Sequence, residues 1–175
     1  RLVSQNLISA DAVVIHNGVD LEVFSPKDSS ASLAGAPIRM LIAGQLKPDK
    51  GMHTVVEAMA RLHATVGNER LTLTILGDGF PDYVARLRQM IADYQLQTVV
   101  SIRPPVERDR MPEVLAEHDI LVLASEYAEP LARAMQEAMA MGMLVIGTTT
   151  GGSGELLIHD RTGLVCAGLS QGRLG

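Results

Sequence analysis

Short β-rich apolar runs alternate with stretches of helical period along nearly the whole chain, and this alternation restricts the fold more than any other feature. Leu71-Thr72-Leu73-Thr74-Ile75-Leu76 reads as a strand closed by Gly77-Asp78-Gly79. Val84, Leu87, Ile91 and Tyr94 then recur on one helical face. Residues 12–16, 38–43, 98–102, 143–147 and 163–166 read as further strands. Helical spacing links Val55, Val56, Met59, Leu62 and Val66. It also places Met111, Val114 and Leu115 on a helix over 107–118, and Leu131, Ala134, Met135, Ala138 and Met139 on one over 130–141. Ile120-Leu121-Val122-Leu123 is apolar without alternation, as befits a central parallel strand covered on both faces. The pattern predicts an α/β fold: a Rossmann-like parallel sheet with helices on both faces. Ligands of such sheets bind beyond the carboxyl ends of the strands, so chemistry belongs in the loops that follow them.

The chain of 175 residues has the size of a single domain, and 47% apolar residues suffice for a core. A net charge of -5 argues against a nucleic-acid or anionic-membrane binder, whose footprint is usually basic. Cys166 is the sole cysteine, so no internal disulfide forms, which suits a reducing, cytoplasmic setting. No apolar run approaches the ~20 residues of a membrane helix. The chain starts at Arg1 without a Met, from which a fragment or a processed chain is expected.

Among the strand-end loops, Gly44-Gln45-Leu46-Lys47-Pro48-Asp49-Lys50-Gly51 joins a strand to a helix. Gly44 lets backbone approach a ligand closely. Lys50 sits beside a helix start, whose free N–H groups already favour an anion. A solvated surface lysine fits these residues equally well. The loop lacks the Gly-Lys-Ser/Thr ending of a P-loop. Gly77-Asp78-Gly79 invites a dinucleotide reading, but Asp82 stands where the third glycine belongs.

In Glu126-Tyr127-Ala128-Glu129-Pro130-Leu131, Pro130 suits a first helical position with Glu129 at the cap. Glu137 follows on the same predicted helix, about 12 Å along the axis and about 80° round it. Carboxylates so far apart share neither a proton nor a metal, and are too distant for a retaining glycosidase pair. They suit hydroxyls at two ends of one long ligand, with an anion on the helix start between them. A helix cap and a solvated surface acid are the plain alternative. Thr148-Thr149-Thr150-Gly151-Gly152-Ser153-Gly154-Glu155 offers backbone N–H groups for a further anion nest, or is a loop leading to a helix capped by Ser153.

Taken together, these loops resemble the C-terminal domain of the GT-B glycosyltransferases of family four, often called group 1. Val14-Ile15-His16-Asn17-Gly18-Val19-Asp20 with Phe24 and Pro26 matches the block at the domain entrance. Gly44-Gln45-Leu46 with Lys50-Gly51 and Glu57-Ala58 matches the phosphate loop and its helix, and Gly77-Asp78-Gly79 a glycine turn. Glu129-Pro130 through Glu137-Ala138-Met139-Ala140 and Gly142 contains the family's E-x7-E motif. Val145-Ile146, Gly151-Gly152, Glu155 and Thr162-Gly163-Leu164 continue the match.

The resemblance implies a single nucleotide-sugar-binding domain, residues 1–175, cut from a two-domain retaining glycosyltransferase. It implies that Glu137 binds the donor ribose and that Glu129 contacts the transferred sugar. Lys50 with Gln45 would neutralise the departing diphosphate. Gly44 and backbone N–H groups near Leu131 and at Gly151 and Gly152 would cradle the phosphates. No metal or other cofactor is implied. The partners implied are a nucleotide-sugar donor and a carbohydrate or lipid-linked acceptor held by the absent N-terminal half. Peripheral membrane contact would come only through that half, and no nucleic acid is involved. The isolated piece is expected to transfer no sugar. Many members carry Arg at Gln45, glycine at Ala132, proline at Leu144 and a glycine-containing turn at Arg103-Pro104-Pro105. A catalytically degenerate nucleotide-sugar-binding module is the alternative these departures suggest.

Overall fold

The computed structural model describes residues 9, 13, 15, 17–26, 37–66, 70–128 and 131–166. Six strands form one parallel sheet: β1 (Ile38–Ala43), β2 (Leu71–Leu76), β3 (Val100–Arg103), β4 (Ile120–Leu123), β5 (Leu144–Gly147) and β6 (Leu164–Val165). The order is β3-β2-β1-β4-β5-β6. All pairings are parallel, with Met40 opposite Ile120 and Leu41 opposite Leu121 where β1 meets β4. Four helices connect them: α1 (Met52–Val66), α2 (Pro81–Asp93), α3 (Met111–Ala116) and α4 (Arg133–Ala140).

Successive strand residues point to opposite faces, and this alternation divides the core in two. Met40, Ile42, Leu73 and Ile75 pack with Val55, Val56 and Met59 of α1 and with Leu87 and Ile91 of α2. Leu41, Leu121, Leu123 and Val145 pack with Leu115 of α3 and with Met135 and Ala138 of α4. β4 lies between β1 and β5 and contributes to both layers, as its unbroken apolar run predicts. Phe24, from the entrance block, is buried in the second layer.

Several boundaries differ from the sequence expectation. The predicted strand 12–16 lies mostly outside the described residues; Val13 and Ile15 are exposed and in no strand. The helix expected over 107–118 begins as a 3-10 turn, Arg108–Arg110, before α3. On α2 the core position belongs to Tyr83, whereas Tyr94 lies just past the helix end and is exposed. Leu62 leaves the core stripe of α1 and borders an apolar groove with Ile146 and Cys166.

Gly77 and Gly79 are structural. A Cβ at Gly77 would stand 2.0 Å from the Gly44 carbonyl oxygen, and one at Gly79 2.0 Å from that of Leu46. The glycines let this turn dock on the loop after β1, where Leu46 N–H donates to the Asp78 carbonyl at 2.7 Å. Close backbone packing therefore accounts for the Gly-x-Gly pattern that suggested a dinucleotide.

At the opposite end of the sheet, Arg39 and Asp119 clamp β1 to β4. Arg39 donates from Nη2 to Oδ1 at 2.8 Å and from Nε to Oδ2 at 3.1 Å. The Arg39 hydrogen bond holds the Asp119 carboxyl below its ordinary range.

His118 is buried with both ring nitrogens engaged. Nδ1 donates to the Val114 carbonyl at 2.7 Å, which leaves Nε2 to accept the Thr74 hydroxyl at 3.0 Å. Burial pushes the imidazole pKa down, outweighing the opposing pull of the Val114 carbonyl. In the unfolded chain this side chain takes up a proton as pH falls through about 6.5. The folded chain resists until lower pH, so the unfolded state binds more protons and stability falls on acidification. Urea denaturation from pH 7 to pH 5 should show that loss, at most about 1.4 kcal/mol per pH unit from this group. His118→Gln should flatten the slope; an unchanged slope would show that His118 titrates alike in both states.

Candidate functional site

The sheet order reverses between β1 and β4, and a cleft of about 250 Å³ opens beyond their carboxyl ends. This is the place where ligands of open parallel sheets bind. Gly44, Lys50, Ser125, Ala132, Arg133 and Ala134 are among the residues lining it.

Each wall has a local cause. Gly44 leaves β1 with φ of 148°, a conformation L side chains rarely adopt, so the loop turns sharply into the cleft. Pro48–Lys50 form one 3-10 turn, closed by Gly51 in the left-handed region. Gly51 presses on the end of β4, where a Cβ would meet the Ala124 carbonyl oxygen at 2.1 Å. That approach delivers Lys50 to the cleft just before α1 begins, as the sequence suggests. Glu126 N–H donates to the Asp49 carbonyl at 2.9 Å and ties the loops after β1 and β4 together. The hydroxyls of Thr148 and Thr150 both donate to the Ser125 carbonyl, at 2.8 and 3.1 Å, and anchor the loop after β5 beside them.

The helix expected from Pro130 starts later. Its N-cap is Ala132, extended at φ -69° and ψ 117°, with no side-chain cap. Glu129 and Pro130 lie outside the described residues, so the role expected of Glu129 is not placed. The cap position expected for Glu129 belongs to Ala132, and the spacing drawn along one continuous helix does not apply. Burial explains the late start: Leu131 packs against the second core layer and Ala132 is itself buried in it. The cleft wall is thus Ala132, Arg133 and Ala134 rather than Leu131. Arg133 is the first helical residue, where a cation is unfavourable unless an anion sits nearby. The sequence reading missed it, because a helix expected from Pro130 puts Arg133 past the first turn, between Glu129 and Glu137.

Glu137 is no solvated surface acid. Its side chain is 8% exposed, and Oε1 lies 3.2 Å from Nη2 of Arg108 on the turn after β3. A buried carboxylate needs such a partner or ligand donors. Arg108 was not foreseen, because the contact joins a turn and a helix distant in sequence. Gln45 is exposed and lines a neighbouring cavity of about 430 Å³ with Asp78, Pro105, Val106 and Met111, not the cleft of Lys50. Gly44 borders both cavities. Gly151 and Gly152 lie in a 3-10 turn, Gly151–Glu155, and are not among the residues lining the cleft; Ser153 is buried within the turn and Thr150 takes its N-cap position.

No cluster of three or more His, Cys, Asp or Glu suited to a metal occurs among the described residues. None of the described helices is long and apolar enough to cross a membrane. The cleft therefore presents two cations and a helix start without a side-chain cap, a layout suited to an anion; Glu137, one helical turn further on, is not among the residues lining it.

Residues 25–174 match the family model for glycosyl transferases group 1. The chain is 31% identical over 172 residues to the putative glycosyltransferase YtcC of Bacillus subtilis, covering 87% of this chain and 40% of that protein. It is 32% identical over 187 residues to the D-inositol 3-phosphate glycosyltransferase of Paenarthrobacter aurescens, covering 96% and 45%. Among solved structures, Anabaena Alr3699/HepE in complex with UDP-glucose superposes with a TM-score of 0.76 at 27% identity, covering 90% of this chain and 44% of that one. The chain spans less than half the length of each of these relatives.

Proposed function

Because this chain belongs to the group 1 glycosyl transferases, we propose that it is the donor-binding, C-terminal half of a family-four GT-B enzyme that moves a sugar from a nucleotide-sugar to an acceptor hydroxyl with retention. The observation that carries this reading is the cleft at the β1/β4 reversal, lined by Lys50, Arg133 and a start of α4 that has no side-chain cap. A diphosphate placed there accepts from the free N–H groups of the helix start and faces both cations. The rate of such a transfer depends on stabilising negative charge as the nucleoside diphosphate departs. Lys50 and Arg133 supply that stabilisation from side chains, without a metal. Glu137, further along α4, takes the ribose hydroxyls as donors to its carboxylate, with Arg108 holding the charge when the site is empty. Glu129 touches the sugar. The acceptor is carbohydrate or lipid-linked and is held by the other half of the enzyme, so this chain alone turns over no donor.

Gln45 supports a second reading. It brings no charge and faces the neighbouring cavity. Binding without catalysis is the function left if the remaining cations do not suffice.

Titration calorimetry with UDP, GDP and ADP tests the donor site. One of them should bind at millimolar concentration or below, and Glu137→Ala should weaken it about 10- to 100-fold, the range of a lost hydrogen bond to a charged group. No binding by the unaltered chain would end the donor reading. Undiminished binding by the variant would remove Glu137 from the ribose.

A further inference from the structure

Tyr127 stands where two lysines meet. Lys47 Nζ lies 4.9 Å from its ring centroid and Lys50 Nζ 5.2 Å. Both are within the range over which an aromatic ring attracts a cation. The two ammonium groups are therefore no more than about 10 Å apart, about one Debye length at ordinary salt, and they repel. The shared ring counters that repulsion, as does Asp49, whose Oδ2 lies 3.1 Å from Lys47 Nζ. Asp49 Oδ1 is buried without a hydrogen-bond partner, so this carboxylate is incompletely satisfied. The backbone contact from Glu126 to Asp49 fixes the segment carrying Tyr127 against the turn carrying both lysines. Lys50 lines the cleft; Lys47 is not among the residues lining it, and the Tyr127 ring is in reach of both. Gln45, on the same loop, faces elsewhere.

We propose that Lys47 is a third anion-binding cation of the donor site, and that Tyr127 is a positioning residue that holds Lys47 and Lys50 toward the diphosphate. This rests on the donor-site reading above and adds the positive charge that Gln45 does not supply. A polyanion between the ammonium groups converts their repulsion into attraction for a shared partner. A cation–π contact at a partly exposed site is weaker than a charge-assisted hydrogen bond to phosphate. The ring thus restrains the lysines in the empty site and gives way to the ligand, and the three donors of the Lys47 ammonium let it meet a phosphate while keeping Asp49.

The test is an NMR-detected titration of the chain with whichever of UDP, GDP and ADP binds tightest, and with its nucleoside as the phosphate-free control. Lys47→Met should weaken the diphosphate about tenfold and leave the nucleoside within about twofold, with Lys47→Arg restoring most of the loss. Tyr127→Ala should weaken the diphosphate about fivefold without changing the nucleoside, and Tyr127→Phe should bind like the unaltered chain. Lys47→Met binding the diphosphate as before, or losing both ligands alike, would overturn the proposal. If the unaltered chain prefers no diphosphate to its nucleoside, the donor-site reading fails first and this one with it.

Discussion

Gly51→Ala should lower the stability of the chain by about 3 kcal/mol or more, among the larger effects of any single substitution. Two penalties combine. Gly51 has φ of 69°, where alanine is strained by about 1 kcal/mol. The new methyl would also stand 2.1 Å from the Ala124 carbonyl oxygen and 3.0 Å from the Ala124 Cβ. Neither neighbour is the loose end of a flexible side chain, so the loop after β1 must lift off the end of β4. That movement carries Lys50 with it, and nucleotide binding should fall together with stability. Gly18→Ala is the control, since nothing lies within 4 Å of a Cβ there. It should change stability by less than about 0.5 kcal/mol. Urea denaturation of the two variants decides the matter. Similar midpoints would mean that the contact between Gly51 and Ala124 does not constrain the fold.

Lys50→Ala, placed in the two-domain enzyme proposed above, should reduce kcat about 100- to 1000-fold. That is the usual loss when one group facing a developing charge is removed from a preorganised site. The leaving diphosphate gains negative charge only as the sugar bond breaks. A lysine fixed at the cleft therefore stabilises the transition state more than the bound donor, and kcat should suffer more than KM. The fold should survive, because the Lys50 side chain belongs to neither core layer. Measuring transfer at saturating donor tests this directly. A kcat within about threefold of the parent would remove Lys50 from leaving-group stabilisation. If the parent enzyme binds donor through Lys50 yet transfers nothing, the non-catalytic reading prevails.

Much of the fold was legible because periodicity is a local property. Ile120–Leu123 has no polar alternation, and β4 indeed has neighbours on both edges and layers on both faces. Lys50 before a helix and Gly44 after a strand also follow from residues adjacent in the chain. The start of α4 was misjudged because Pro130 favours a first helical position, whereas burial of Leu131 and Ala132 keeps the chain extended to Arg133. Asp82 already told against a dinucleotide at Gly77 and Gly79, but only their closeness to Gly44 and Leu46 showed a packing role.

The sequence by itself determined a parallel sheet layered on both faces, a family-like set of strand-end loops, and an acid at Glu137 on the helix after β4. Side-chain periods and turn residues encode those features within a few positions of one another. Only the tertiary structure decided which loops share a cleft. It brought Arg133 and Lys50 to one cleft, set Arg108 on Glu137, turned Gln45 toward a different cavity and gathered two lysines on Tyr127. Those neighbours lie far apart in the chain or face directions set by packing, and no local pattern records a distance that the closure of the whole sheet creates.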